Sequence, residues 1–278
     1  MLDTMMVEKG RLYMGDCQMT FVPGVPSWAT LLTGDLDVAT RFYGPLLGWR
    51  FEAGPDRWGP YVRAMAGDTA VAGLSAAARH TELPNSWTTY FGTRNADDAA
   101  NGVRERGGTV AIGPLDFDAG RLALAADPAG ARFGLWECRE STPRTNRQPV
   151  GTGAPTWVEL RTRDAFDAAR FYGDLFDWYS EEDASPLDVR WEDERVVLSV
   201  AERDAVGMYA GAIEAAADPQ VRPRWNIHFQ VPSVEEAAET AKKLGGQVES
   251  RAERTSQGPV AELRDPEGTL FHIIGATP

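Results

Sequence analysis

Cysteine, histidine and lysine are all scarce in this chain of 278 residues. Two cysteines, Cys17 and Cys138, can pair with each other but cannot build a disulfide scaffold, and there is no CxxC. A reduced compartment fits so low a count. Only three of the 28 basic residues are lysines (Lys9, Lys242 and Lys243), and 41 acidic residues bring the net charge to −13. So acidic a chain repels phosphate backbones and anionic membranes, so neither nucleic acid nor membrane is expected as a partner. No apolar run is long enough to cross a bilayer. The first twenty residues lack the apolar core of a signal peptide, and a cytoplasmic protein is expected. Also missing are a GxGxxG after a strand, a Walker loop and a GxSxG elbow, so nothing calls for a nucleotide cofactor.

What is present is ordinary globular material, 43% hydrophobic and 25% charged, in a length that suits two domains. The strongest signal is internal repetition. Residues 26–49, PSWATLLTGDLDVATRFYGPLLGW, lie over 155–178, PTWVELRTRDAFDAARFYGDLFDW, with twelve of twenty-four positions identical. Residues 87–110 lie over 225–248, and DPAGARFGLW (127–136) over DPEGTLFHII (265–274), now at an offset of 138 instead of 129. The repeat divides the chain into an N-terminal extension (1–19), a first domain (20–138), a polar linker (139–153) and a second domain (154–278).

Each domain reads as two similar modules. WATLLT is a short strand; Asp35 is then placed to cap a helix with Ala39, Phe42, Leu46 and Leu47 on one face and Gly48 as its stop. Strands are expected near 49–54, 60–66 and 69–76. The cycle restarts at WTTYFGT and its helix ends in Gly107-Gly108; Gly245-Gly246 does the same in the second domain. The fold class is therefore α+β, four βαβββ modules forming two homologous cupped-sheet domains.

The strand-Asp-helix-FYxxLxGW opening, the helix-Gly-Gly segment and the final DPxG strand resemble the vicinal oxygen chelate superfamily. That superfamily includes glyoxalase I, extradiol dioxygenases and bleomycin-resistance proteins. The layout is similar to actinobacterial two-domain proteins described as antigens, glyoxalase-like proteins or hydroxylases. The resemblance implies two cupped sheets, each enclosing a ligand cavity. It implies metal ligands at Trp157, Asn226 and His272 in the second domain, and at Trp28, Thr88 and Gly134 in the first. Trp and Gly cannot ligate a divalent ion through a side chain, and Thr is a poor ligand.

Strand alternation assigns faces. Val158, Leu160, Trp225, Ile227 and Phe229 should pack on helices. Trp157, Glu159, Arg161, Asn226, His228, Gln230 and His272 should face the second cup, and Trp28, Tyr90 and Trp136 the first. Trp157, Trp28, Tyr90 and Trp136 are candidate aromatic walls for a planar ligand, or else packing. Arg161 is a candidate anion holder, or else the ion-pair partner of Glu159. Trp49, Trp178, Trp87 and Trp225 are expected in the core, and His80 in a solvated loop.

These residues suggest a small-molecule enzyme acting on an aromatic or apolar metabolite, of the kind found in secondary metabolism. The expected chemistry is metal-independent proton transfer of an isomerase, cyclase or lyase type, by His272 and His228 with Glu159. Substrate contacts are expected from Trp157, Arg161, Asn226 and Gln230, with the first cup a binding or structural pseudo-site. No cofactor is expected. One alternative is a divalent Fe, Mn or Zn held by Glu159, His228 and His272 in a dioxygenase- or glyoxalase-like enzyme. Others are a drug- or metabolite-sequestering binder and a structural protein with two dead cups. The partner is a small molecule, and the chain is a monomer or homodimer.

Overall fold

The local signals for the helices are met in a computed structural model, which describes residues 23–54, 59–76, 84–117, 120–138, 151–179, 187–192, 195–200, 203–210, 222–250 and 253–275. The N-terminal extension, most of the linker, His80 and Cys17 lie outside the described residues. Helix α1 (Leu36–Leu47) starts on Asp35, whose carboxylate accepts from the Asp37 and Val38 N–H groups, and ends on Gly48 in the left-handed region. Such a cap satisfies donors that the first helical turn leaves unpaired. Helix α3 (Ala165–Phe176) begins on Asp164 in the same way. Helices α2 (Ala96–Glu105) and α4 (Val234–Lys243) are capped by Asn95 and Ser233.

The first domain continues from β1 (Pro26–Leu32) and α1 through β2 (Arg50–Ala53), β3 (Tyr61–Ala66) and β4 (Thr69–Ser75). Its second module is β5 (Ser86–Gly92), α2, β6 (Thr109–Phe117), β7 (Gly120–Ala126) and β8 (Arg132–Cys138). The second domain repeats this as β9 (Pro155–Arg161), α3, β10 (Leu187–Glu192), β11 (Arg195–Val200) and β12 (Arg203–Tyr209). It closes with β13 (Arg224–Val231), α4, β14 (Gln247–Val248), β15 (Glu253–Thr255), β16 (Gly258–Arg264) and β17 (Leu270–Gly275). Strand order is β2-β3-β4-β1-β5-β8-β7-β6 in one sheet and β10-β11-β12-β9-β13-β17-β16-β14 in the other. Each module's first strand pairs parallel with its last, and the two modules of a domain meet antiparallel along β1–β5 and β9–β13. Each sheet is thus completed within its own half, a point the repeats alone leave open.

The helix-bearing faces pack the other way, across the halves. One apolar cluster joins Phe91, Val103 and Phe133 of the first domain to Leu160, Tyr172 and Trp225 of the second. Its counterpart joins Phe42, Tyr43 and Leu74 to Phe229, Val234 and Phe271. Trp49, Trp87, Trp178 and Trp225 all lie in these two cores. Fully burying such a side chain contributes roughly 1.5–3 kcal/mol.

Polar bonds stitch the same seam. The Tyr43 hydroxyl donates to Asp265 Oδ2 at 3.0 Å and accepts from Trp87 Nε1 at 3.0 Å. The Tyr172 hydroxyl donates to Asp127 Oδ2 at 3.0 Å and accepts from Trp225 Nε1 at 2.9 Å. The FYG tyrosine of each half therefore grips the DPxG aspartate of the other. Trp49 Nε1 donates to the Gly153 carbonyl at 2.8 Å, and Trp178 Nε1 to the Gly24 carbonyl at 3.1 Å. Cys138 is disulfide-bonded, which settles for this residue the pairing the sequence leaves open. No helix among the described residues is long and apolar enough to cross a membrane.

Candidate functional site: the two cups

With the helices on the seam, the opposite face of each sheet forms a cup. In the first, Trp28, Tyr61, Met65, Tyr90, Leu122 and Trp136 bury one another in a single cluster, none more than 8% exposed. Gly134 belongs to this packing: a Cβ there would stand 2.0 Å from Tyr90 Cδ1. Burial pushes the Tyr90 phenol up to about 12. Trp28, Tyr90 and Trp136, read from the sequence as an aromatic wall or as packing, are buried together in this one apolar cluster.

The second cup is polar at the equivalent positions. Glu159 stands for Thr30, Arg161 for Leu32, His228 for Tyr90, Glu262 for Leu124 and His272 for Gly134. Trp157, Val197 and Ile274 form its apolar floor, with Tyr209 and Val260 against them. Glu159, Asn226, His228 and His272 are buried. Strand register sets their neighbours. His228 on β13 lies directly beside His272 on β17, with ring centroids 4.6 Å apart and planes at 37°. Glu262 on β16 faces His272 from the other side and lies 3.2 Å from its Nε2. His272 Nδ1 is buried with no hydrogen-bond partner among the described residues.

The carboxylate on the histidine is thus Glu262, where sequence reading expects Glu159. The reason is register: Glu159 pairs with Asn226, whereas Trp157 is the residue opposite His228. Glu159 is bound instead by Arg161 Nε, two residues along the same face. The Arg161 guanidinium lies 5.0 Å from the centroid of the Tyr209 ring. Arg224 bridges Asn226, at 3.0 Å, and Glu262, at 3.8 Å. Gln230 is expected in the cup, yet its side-chain carbonyl accepts from the Gly151 N–H at 3.2 Å, beyond a bulge after His228. It ties down the segment entering β9.

Electrostatics divides the labour within this group. Burial holds His228 well below its ordinary value, helped by the charge of His272 and opposed by the Trp157 backbone. It is a neutral imidazole at pH 7. The hydrogen bond to His272 holds the Glu262 carboxyl down despite partial burial. A carboxylate, one histidine it touches and a second, neutral histidine are groups of a kind that can pass protons.

A curved double-module sheet with its cup on the concave side defines the glyoxalase class of fold, and comparison with known proteins agrees. The glyoxalase/bleomycin resistance protein/dioxygenase superfamily model matches residues 26–135, and a glyoxalase-like domain model matches 157–274. The chain is 30% identical to the anthracycline biosynthesis protein DnrV of Streptomyces peucetius, covering 91% of this chain and 94% of that one. It is 29% identical to DauV of Streptomyces sp. strain C5, with the same coverage. The chain belongs to this superfamily. Among solved structures, the Mn(II)-bound glyoxalase from Novosphingobium aromaticivorans superposes with a TM-score of 0.59 at 17% identity, covering 91% of this chain and 82% of that one. The 2,3-dioxygenase LapB from Pseudomonas sp. KL28 gives 0.60 at 12% identity over 94% of each chain.

The metal set read from the sequence, Glu159, His228 and His272, is not gathered around an ion site in this structure. Among the described residues no three His, Cys, Asp or Glu are grouped to hold an ion. Glu159 is bound by Arg161. In the first cup the equivalent positions carry Trp28, Thr88 and Gly134, which offer no competent donor set.

Proposed function

We propose that the chain is an enzyme of secondary metabolism that moves a proton on a planar aromatic metabolite bound in the second cup. The observation carrying this reading is the contact of His272 with Glu262 beside the neutral His228, in one cup only. Trp157 supplies a flat apolar surface for an aromatic ring, and Arg161 and Arg224 supply donors for carbonyl or phenol oxygens at the rim. Glu262 orients His272. His272 removes a proton from a carbon next to a carbonyl and returns it elsewhere on the ring system. Return of the proton at another carbon gives isomerisation; attack of the enolate on a second carbonyl carbon, whose oxygen takes the proton, gives cyclisation; expulsion of a β-hydroxyl as water gives elimination, and none changes the net oxidation state. The anthracycline biosynthesis relatives support a polyketide-derived aromatic ketone as the substrate class. The first cup serves as a structural partner.

The test is turnover of such ketones by wild type, His272→Gln and Glu262→Gln, followed by absorbance and solvent deuterium incorporation. His272→Gln should lose on the order of 10²–10⁴-fold in rate, as expected when a general acid–base is removed. Tight stoichiometric binding with no turnover and no deuterium exchange would instead establish a sequestering protein.

A further inference from the structure

The fold presents one corner twice, and only one copy is filled. Ahead of α1, Thr33, Gly34 and Asp35 meet the turn Asp265–Gly268 of the other domain. There Glu267 Oε2 accepts from the Thr33 hydroxyl and from the Asp35 N–H at 3.4 Å. A side-chain carboxylate thus satisfies donors at the entry to a helix, where the backbone dipoles favour negative charge. Ahead of α3, Thr162, Arg163 and Asp164 meet the turn Asp127–Gly130 in the same way, but Ala129 stands where the first corner has Glu267. A cleft of about 280 Å³ remains, with Ala129, Thr162 and Arg163 in its wall beside the acids Asp127, Asp164 and Asp167.

The donors in this second corner lack partners. Thr162 is 1% exposed, lines the cleft, and its hydroxyl has no hydrogen bond among the described residues. Arg163 makes no ion pair among them. The nearby acids are largely occupied. Asp164 accepts from the Asp167 N–H at 2.9 Å, and Asp127 from the Ala131 N–H at 2.8 Å and the Tyr172 hydroxyl at 3.0 Å. The exposed Asp167 opposes an anion here, and Arg163 offsets it. Gly34 leaves the Glu267 carboxylate its room, since a Cβ there would lie 2.6 Å from Oε1. With Arg163 at that position, an incoming carboxylate sits further out, toward the guanidinium.

We propose that this cleft binds the carboxylate of a small organic acid, held by the Thr162 hydroxyl, the Asp164 N–H and Arg163, in the role Glu267 plays at the other corner. The site lies on the seam, and its ligand bridges the two domains. Propionate is the natural probe, because it reproduces the glutamate side chain from Cβ outward. It is titrated into the ¹⁵N-labelled full chain at constant ionic strength, with chloride as the balancing anion. Saturable shifts of the Ala129, Arg163 and Asp164 amide signals are expected. Thr162→Val should weaken binding about tenfold, the effect of losing one hydrogen bond to a charged group. Ala129→Glu, on an exposed turn, should move the same signals without ligand and abolish propionate binding. Shifts that never saturate, or binding unchanged in both variants, would show the cleft to be a mere gap between the domains.

Discussion

Removing the Tyr172 hydroxyl tests whether the seam is held as described. Tyr172→Phe keeps the ring, which is fully buried, and deletes two hydrogen bonds at once. The Trp225 indole N–H is left without its acceptor. Asp127 Oδ2 loses the tyrosine donor, while its other oxygen keeps the Ala131 N–H. At roughly 1–3 kcal/mol for each buried group deprived of its partner, the expected loss is about 2–4 kcal/mol. At about 2–4 °C per kcal/mol for a large domain, that lowers the melting temperature by roughly 5–15 °C. The assay is urea and thermal unfolding of the full chain, beside Tyr179→Phe. The Tyr179 hydroxyl is on a half-exposed side chain and reaches the Ala169 carbonyl only at 3.5 Å, so its loss should stay within about 0.5 kcal/mol. The pH dependence adds a second readout. Burial holds the Asp127 carboxyl above its ordinary value, and the Tyr172 hydroxyl is among the donors pulling it back. The folded state therefore keeps this proton longer than the unfolded chain does. The group's contribution is largest at low pH and declines as pH rises through the unfolded and then the folded pKa. Tyr172→Phe should widen that window. A variant as stable as Tyr179→Phe would refute the seam as drawn.

Three further outcomes follow from the same structure. His228, held low by burial, stays neutral where an unfolded histidine takes up a proton, so stability should be complete above about pH 6.5 and fall below it by up to about 1.4 kcal/mol per pH unit. Urea midpoints measured against pH should show this slope, and His228→Asn should flatten it; an unchanged slope would place the titration elsewhere. Gly134→Ala pushes a methyl into the Tyr90 ring and should cost about 1–3 kcal/mol by chemical denaturation, whereas a neutral result would mean the first cup is loosely packed. Protein purified without chelator or affinity-metal resin should carry little Fe, Mn or Zn, by mass spectrometry, and the same amount after His228→Ala/His272→Ala. One equivalent lost on mutation would restore the metal reading.

The fold was legible because its signals are local and written twice. The Asp35 cap, the Gly48 stop, the helical spacing of Phe42 and Leu46, and the alternation of Val158 and Leu160 with Glu159 all operate within a few residues. Alternation also gave the cup faces up to the bulge after His228, beyond which Gln230 departs from it. It did not give the contact between His272 and Glu262, because Glu262 faces Leu124 across the repeat and matched positions draw the eye to what is shared. Cross-strand register decides which carboxylate meets which histidine, and a single chain does not display it. The repeats also revealed Tyr43, Tyr172, Asp127 and Asp265 without showing which copy touches which. That choice depends on how two helix-bearing faces meet in space.

The exchange of tyrosine and aspartate between halves makes this chain, in effect, a dimer joined by a covalent tether. In a dimer of identical subunits any substitution appears in both cups at once, so a cup cannot be given up without losing both. Tethering removes that constraint. One cup was free to carry Tyr90, Leu124 and Gly134 at the positions where the other has two histidines and a carboxylate in contact. The asymmetry between Gly134 and His272 is what that freedom permits.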